Sequence, residues 1–139
     1  MGEAREVMDR LYQALVSKDI KAVANCYAEN VVAMTPEQGE IKGRDGLLAY
    51  FQGFFDGLSD VGFEYIGKHE SGNVAVDEGY ITGTNTGPLP GAAGESVPAT
   101  GRKIKVRTCD VTVVEGGVVT QHRFYSDQTE FLEQLGLTP

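Results

Sequence analysis

Apolar residues in the first part of the chain recur at helical spacing, and those in the remainder alternate with polar ones. From Glu3 to Ser17, Val7, Met8, Leu11, Tyr12, Ala14 and Leu15 fall three and four apart, which predicts a helix with one buried face. After "SKD", Asp19 is placed to cap a second helix over Ile20 to Tyr27, with Ile20, Val23, Ala24 and Tyr27 as its stripe. "ENVVAMTP" predicts a short strand closed by Pro36, and "EQGEIKGRDG" a polar connection. A third helix from Arg44 or Asp45 to Leu58 presents Leu47, Leu48, Phe51, Phe54 and Phe55 on its apolar side.

The period then changes. "VGFEYIGKH", "NVAVDEGYITGTNT", "RKIKVRTCDVTVVE" and "VVTQHRFYSD" are β-rich runs separated by Gly, Asn and Ser, and they predict successive antiparallel strands. "EGG" at 115 to 117 is a tight hairpin turn, and "GPLPGAAGESVPATG" at 87 to 101 is a loop too long for one. From Gln128 a short helix runs to Gly136. Three helices, a strongly curved, mostly antiparallel sheet and a short C-terminal helix make an α+β fold whose helices cover one sheet face. Such a sheet, curled around its helices, leaves one end of a cone open as the natural place for a ligand.

The chain has 139 residues, the size of one domain over 1–139. With 12 basic and 20 acidic side chains its net charge is −8, which speaks against nucleic acid and anionic membrane as partners and leaves a small neutral or hydrophobic ligand. Cys26 and Cys109 have no metal or redox spacing and read as reduced thiols. The amphipathic start "MGEAREVMDRLYQAL" is no signal peptide and no apolar run approaches a membrane span, so the sequence reads as cytoplasmic. His69 and His122 lie in different strands, so no metal site is expected; serine-nucleophile and phosphate-loop motifs do not occur.

Strand alternation selects candidate chemistry. Ile104, Val106, Thr108, Asp110 and Thr112 share one face, opposite Lys103, Lys105, Arg107, Cys109 and Val111, which places Asp110 in the interior. A carboxylate among apolar neighbours costs several kcal/mol unless paired, hydrogen-bonded or protonated. Near the C-terminus one face carries Val119, Gln121, Arg123, Tyr125 and Asp127, the other Val118, Thr120, His122, Phe124 and Ser126. Both faces mix polar and apolar residues, so alternation does not choose between them. If Asp127 points inward, Arg123 and Tyr125 go with it, and a desolvated carboxylate beside an Arg or Tyr can move a proton while the neighbour stabilises an enolate oxygen. Otherwise Asp127 caps the last helix, with Glu130 in the capping-box position. Tyr12, Tyr27, Phe51, Phe54 and Phe55 suit a core that is also a pocket wall.

The order of elements, "GTNTGPL" at 83 to 89, "PATGRKIKV" at 98 to 106 and "HRFYSDQTEFLEQLGL" resemble the SnoaL-like polyketide cyclase and ester cyclase group, within the superfamily of the nuclear transport factor 2 and ketosteroid isomerase fold. The resemblance implies that Asp127 is the acid/base of an intramolecular aldol closure, that Arg123 and Tyr125 face the cone with it, and that Asp110 lies near the oxyanion donor of ketosteroid isomerase. It also implies a homodimer formed through the sheet and no cofactor. Gln121 and Tyr125 on the candidate face, Tyr12, Phe51 and Asn85 complete the expected substrate contacts; Asn85 stands where the group commonly has the histidine of "GTHTG". Thr35 precedes Pro36 where ketosteroid isomerase has its proton-shuttling aspartate, and Leu11 stands at its first-helix tyrosine, which argues against steroid isomerisation by that route. Arg107 and Asp110, three apart, point to opposite faces, unlike the Arg–Asp pair of limonene-epoxide hydrolase. The expectation is thus a cofactor-independent enzyme acting on a hydrophobic carbonyl compound. Its alternatives are a binding or accessory protein with the same cone and an epoxide hydrolase-like activity.

Overall fold

Helix α1 (Glu3–Val16) turns Val7, Met8, Leu11, Tyr12 and Leu15 to one face, and all five are buried. The computed structural model describes residues 2–90 and 95–137. The short α2 (Ile20–Asn25) is capped by Asp19, whose carboxylate accepts the Ala22 N–H at 3.1 Å. It runs directly into β1 (Tyr27–Thr35), which begins earlier than the sequence suggests, so that Tyr27 is a strand residue. The polar connection after Pro36 contains a strand of its own, β2 (Gly39–Lys42). Gly39 takes the positive φ of +68° that the β1–β2 turn needs. The Thr35 hydroxyl ties the turn by accepting Gln38 N–H at 3.0 Å and donating to the Gly39 carbonyl at 3.1 Å.

Helix α3 (Arg44–Gly57) is followed without a loop by β3 (Leu58–Ser71), then β4 (Val74–Asn85). The loop from 87 to 101 contains a minimal hairpin, β5 (Leu89–Pro90) with β6 (Ser96–Val97), and residues 91–94 of it lie outside the described residues. Leu89 is buried against Leu58, Ile104, Phe131 and Leu135 in a second, smaller core. β7 (Lys103–Glu115) and β8 (Val118–Ser126) follow, joined by Gly116 and Gly117 with φ of +60° and +82°, and α4 (Gln128–Gln134) ends the chain. Two consecutive positive-φ residues match the hairpin turn whose twist suits the flanking strands, which is why "EGG" works there.

The six main strands lie in the order β2-β1-β8-β7-β4-β3. All neighbours are antiparallel except β1 and β8, which pair in parallel, so the sheet is mixed. Helices α1 and α3 fill its concave face, where side chains of α1, α3, β1, β7 and β8 form the main core. Each fully buried Leu, Met or Val there contributes about 1.5–3 kcal/mol of transfer free energy. No described helix is long and apolar enough to cross a membrane.

Candidate active site

Between α1, α3, α4 and the concave sheet lies a cavity of about 830 Å³, counted with its open mouth. Its walls are mostly aromatic and aliphatic, among them Tyr12, Tyr50, Phe51, Phe54, Phe124 and Phe131. Its two ionisable carboxyls are Asp110 and Glu37, and none of the lining residues is Lys, Arg or His.

Asp110 reaches the cavity because β7 alternates as its sequence implies, with Ile104, Val106, Asp110 and Thr112 all buried. The Tyr12 hydroxyl, brought by α1, donates to Asp110 Oδ2. Burial holds that hydroxyl's pKa well above the ordinary tyrosine value, and the adjacent Asp110 charge raises it further. On the other side His122 Nε2 stands 3.7 Å from Asp110 Oδ1, beyond hydrogen-bond distance but facing it. Tyr27 OH lies 2.7 Å from His122 Nδ1. Tyr27 is also raised by burial first, and by Asp110 second, so it keeps its proton and has one to give. If the Tyr27 O–H donates to Nδ1, the ring hydrogen is on Nε2, the nitrogen that faces Asp110. Phe124 stacks on the His122 ring at 3.7 Å between centroids and fixes its plane. The result is a buried row, Tyr12–Asp110–His122–Tyr27, with one end in the cavity wall.

A second polar group sits elsewhere on the wall. Glu37 follows Pro36 at the end of β1, accepts the Tyr50 O–H at 2.7 Å on Oε2, and lies 3.4 Å from Gln128 Nε2 on Oε1. Gln128 also donates to Ser126 Oγ at 2.8 Å. Burial pushes the Glu37 carboxyl above the usual carboxylate value, partly offset by the Tyr50 bond. Behind Asp110, Asp77 is its direct cross-strand neighbour on β4. Arg5 Nη2 approaches Asp77 Oδ1 to 2.7 Å, off the hydrogen-bond axis, so this buried contact is mainly Coulombic. Burial still raises Asp77 above its ordinary value against the pull of Arg5.

Of the residues singled out from the sequence, Asp110, Tyr12 and Phe51 line the cavity together. The inward placement of Asp127, Arg123, Tyr125 and Gln121 needs correction. In β8 it is His122 and Phe124 that face the concave side, because they stand opposite Thr112 and Asp110 in the β7 register. Arg123 therefore points outward, 3.4 Å from the Gln121 side chain, and Tyr125 is 54 % exposed. Asp127 is exposed outside the cavity, and its Oδ1 accepts the Glu130 N–H at 3.0 Å as the N-cap of α4. Asn85 is fully buried away from the cavity and fully engaged: its amide donates to the Gly57 and Gly87 carbonyls, and its oxygen accepts the Thr100 N–H and hydroxyl. It staples the 87–101 loop to the end of α3. Tyr12, not Leu11, is the first-helix tyrosine that reaches the wall. Arg107 lies on the outer face against Glu130, so it forms no pair with Asp110.

Glu37, His122, Ser126 and Gln128 join the site without having been marked by the sequence as cavity groups. Glu37 sits two residues from Thr35, on the other side of Pro36. Among the described residues no three His, Cys, Asp or Glu side chains gather as a metal site.

The SnoaL-like domain family profile matches residues 8–122, most of the chain. The chain belongs to the SnoaL-like domain family. Comparison with curated protein sequences finds no significant match. Among solved structures, TsrD from Streptomyces laurentii superposes with a TM-score of 0.82 at 22 % identity, covering 98 % of this chain and 96 % of that one. A proposed SnoaL-like polyketide cyclase from Jannaschia sp. CCS1 gives 0.84 at 17 % identity, over 99 % and 94 % of the two chains. A protein of ketosteroid isomerase-like fold from Catenulispora acidiphila, in complex with trimethylamine, gives 0.76 at 14 % identity, over 96 % and 94 %. At such identities the likeness is one of fold, and the SnoaL-like cone is the architecture they share.

Proposed function

We propose that this SnoaL-like protein is a cofactor-independent enzyme that moves a proton on a hydrophobic carbonyl compound, in a cyclisation or isomerisation of the aldol–enol type. The observation that carries the proposal is the buried polar pair Asp110 with Tyr12, set in the mostly apolar wall of an open-ended cavity. A neighbour of the same fold is in complex with a small molecule, trimethylamine, which is in keeping with a small-molecule ligand for this one.

The chemistry needs a proton acceptor and an oxygen donor in one dry place. When a substrate carbonyl reaches the pair, the Tyr12 O–H turns from Asp110 Oδ2 to the substrate oxygen, and Oδ2 is freed to take the α-proton. The electron pair of the broken C–H bond moves into the enolate, whose oxygen Tyr12 stabilises. In a cyclisation the enolate carbon attacks a second carbonyl of the same molecule, and Asp110 returns the proton to the new alkoxide. In an isomerisation the proton returns to another carbon. His122, held by Tyr27 and Phe124, positions Asp110 from behind and does not meet the substrate.

Asp110→Asn is expected to lower kcat by about a thousandfold and Tyr12→Phe by about a hundredfold, in the range for loss of a general base and of one oxyanion donor. The assay is turnover of aromatic polyketide and small ketone substrates by folded variants. Full activity of folded Asp110→Asn would overturn the assignment. Binding without turnover of any carbonyl substrate by the wild type would favour the accessory, non-catalytic alternative.

A further inference from the structure

The end of the cavity marked by Glu37 has a composition that the proton transfer does not use. Glu37 contributes a half-buried carboxyl directly bonded to Tyr50. The rings of Phe54 and Phe124 lie 5.0 and 5.7 Å from that of Tyr50, and all three aromatic residues line the same cavity as Glu37. A carboxylate beside a cluster of aromatic rings is the chemistry that recognises an ammonium group. The ring quadrupoles attract the cation, and the carboxylate supplies the countercharge in a partly dry site. An anionic ligand finds no countercharge here, because no basic side chain lines the cavity and its two carboxyl groups, Asp110 and Glu37, would repel it. Lys18, which reaches the carbonyls of the lining residues Phe55 and Leu58, is spent on them.

We infer that the substrate of this site carries a positive charge, an alkylated or protonated amine, which seats at Glu37 among Tyr50, Phe54 and Phe124 while the carbonyl end lies at Asp110 and Tyr12. This inference rests on the cavity being the substrate site; it adds the ligand's charge and the direction in which it lies.

The test compares three probes of similar shape by calorimetry at pH 7, where all three phenols keep their protons: 3-hydroxyphenyltrimethylammonium, the neutral isostere 3-tert-butylphenol, and the anion 3-hydroxybenzoate. The cation is expected to bind about tenfold or more tighter than the neutral phenol, and the anion more weakly than either. Glu37→Gln, nearly isosteric and still able to meet the Tyr50 hydroxyl, is expected to erase most of the cation's advantage while leaving the phenol's Kd unchanged. That unchanged Kd also reports an intact cavity. If the phenol binds as tightly as the cation, or Glu37→Gln leaves their ratio unaltered, the charge inference falls and the cavity assignment stands. If none of the three binds, both fall.

Discussion

Glu37 and Asp110 illustrate how one apolar cavity treats two carboxyls differently. Asp110 is fully enclosed and held by Tyr12, whereas Glu37 is half-buried and held by Tyr50. Burial raises Glu37 above its ordinary value of 4.5, so the native protein keeps this proton to higher pH than the unfolded chain does. The sign follows from linkage. Stability from such a group is fully present below the unfolded value and is lost as pH rises through the native one. Asp77 is shifted in the same direction, so both work against the folded state at neutral pH relative to acid. Replacing Glu37 by Gln removes its part. The melting temperature of Glu37→Gln is expected to match wild type near pH 4 and to exceed it by about 1–3 °C near pH 7.5. Thermal denaturation across that range checks it; a variant that gains most at the acid end would contradict the burial of Glu37.

At the scale of elements, β7 was legible from its own sequence and β8 was not. In β7 the outward face begins with Lys103, Lys105 and Arg107, three cations that cannot sit in a core, so the parity of Asp110 followed from alternation. In β8 both faces mix polar and apolar residues, and the choice rests on a long-range fact, the register that sets His122 opposite Thr112 and Phe124 opposite Asp110. A one-residue change of parity moves every side chain to the other face, and with alternation undecided it was the family resemblance alone that implied Asp127, Arg123 and Tyr125 inside. Helices α1 and α3 were readable because each has a clear stripe, α2 was read two residues too far because Tyr27 fits its stripe, and the α+β cone followed from the order of elements; β2 was hidden in a polar, Gly-containing segment with no alternation to betray it. The capping-box spacing, by contrast, did describe Asp127 correctly at the level of α4. Its consequence can be separated from catalysis. Asp127→Asn, which preserves a good cap, is expected to leave both stability and turnover near wild type, while Asp127→Ala costs about 1 kcal/mol. Chemical denaturation and a turnover assay on the two variants decide; loss of turnover in well-folded Asp127→Asn would return Asp127 to the mechanism.

For the whole molecule the question is what covers the outer face of the sheet. The helices occupy the concave side, and on the convex side Val32, Met34 and Tyr125 are large, apolar and exposed by 37 %, 44 % and 54 %. They lie on the adjacent strands β1 and β8, with half-buried Cys109 and Val111 of β7 continuing the patch across the register. An apolar-rich face, broken by Gln121 and Arg123, on an otherwise strongly acidic chain is the kind of surface that associates, and an antiparallel meeting of two such faces is self-complementary. The family resemblance carries the same expectation of a dimer through the sheet. Arg123 lies within this face, between Met34 of β1 and Val111 of β7. We expect light scattering to give a mass about twice the 15.0 kDa of one chain, and Met34→Glu combined with Tyr125→Glu to return a folded monomer by placing unpaired charge in the interface. Because the cavity opens on the other side of the sheet, that monomer should still bind 3-tert-butylphenol with the wild-type Kd. A wild-type protein that scatters as a monomer at 100 µM, about the range in which a standard-size interface would hold, would reject the dimer.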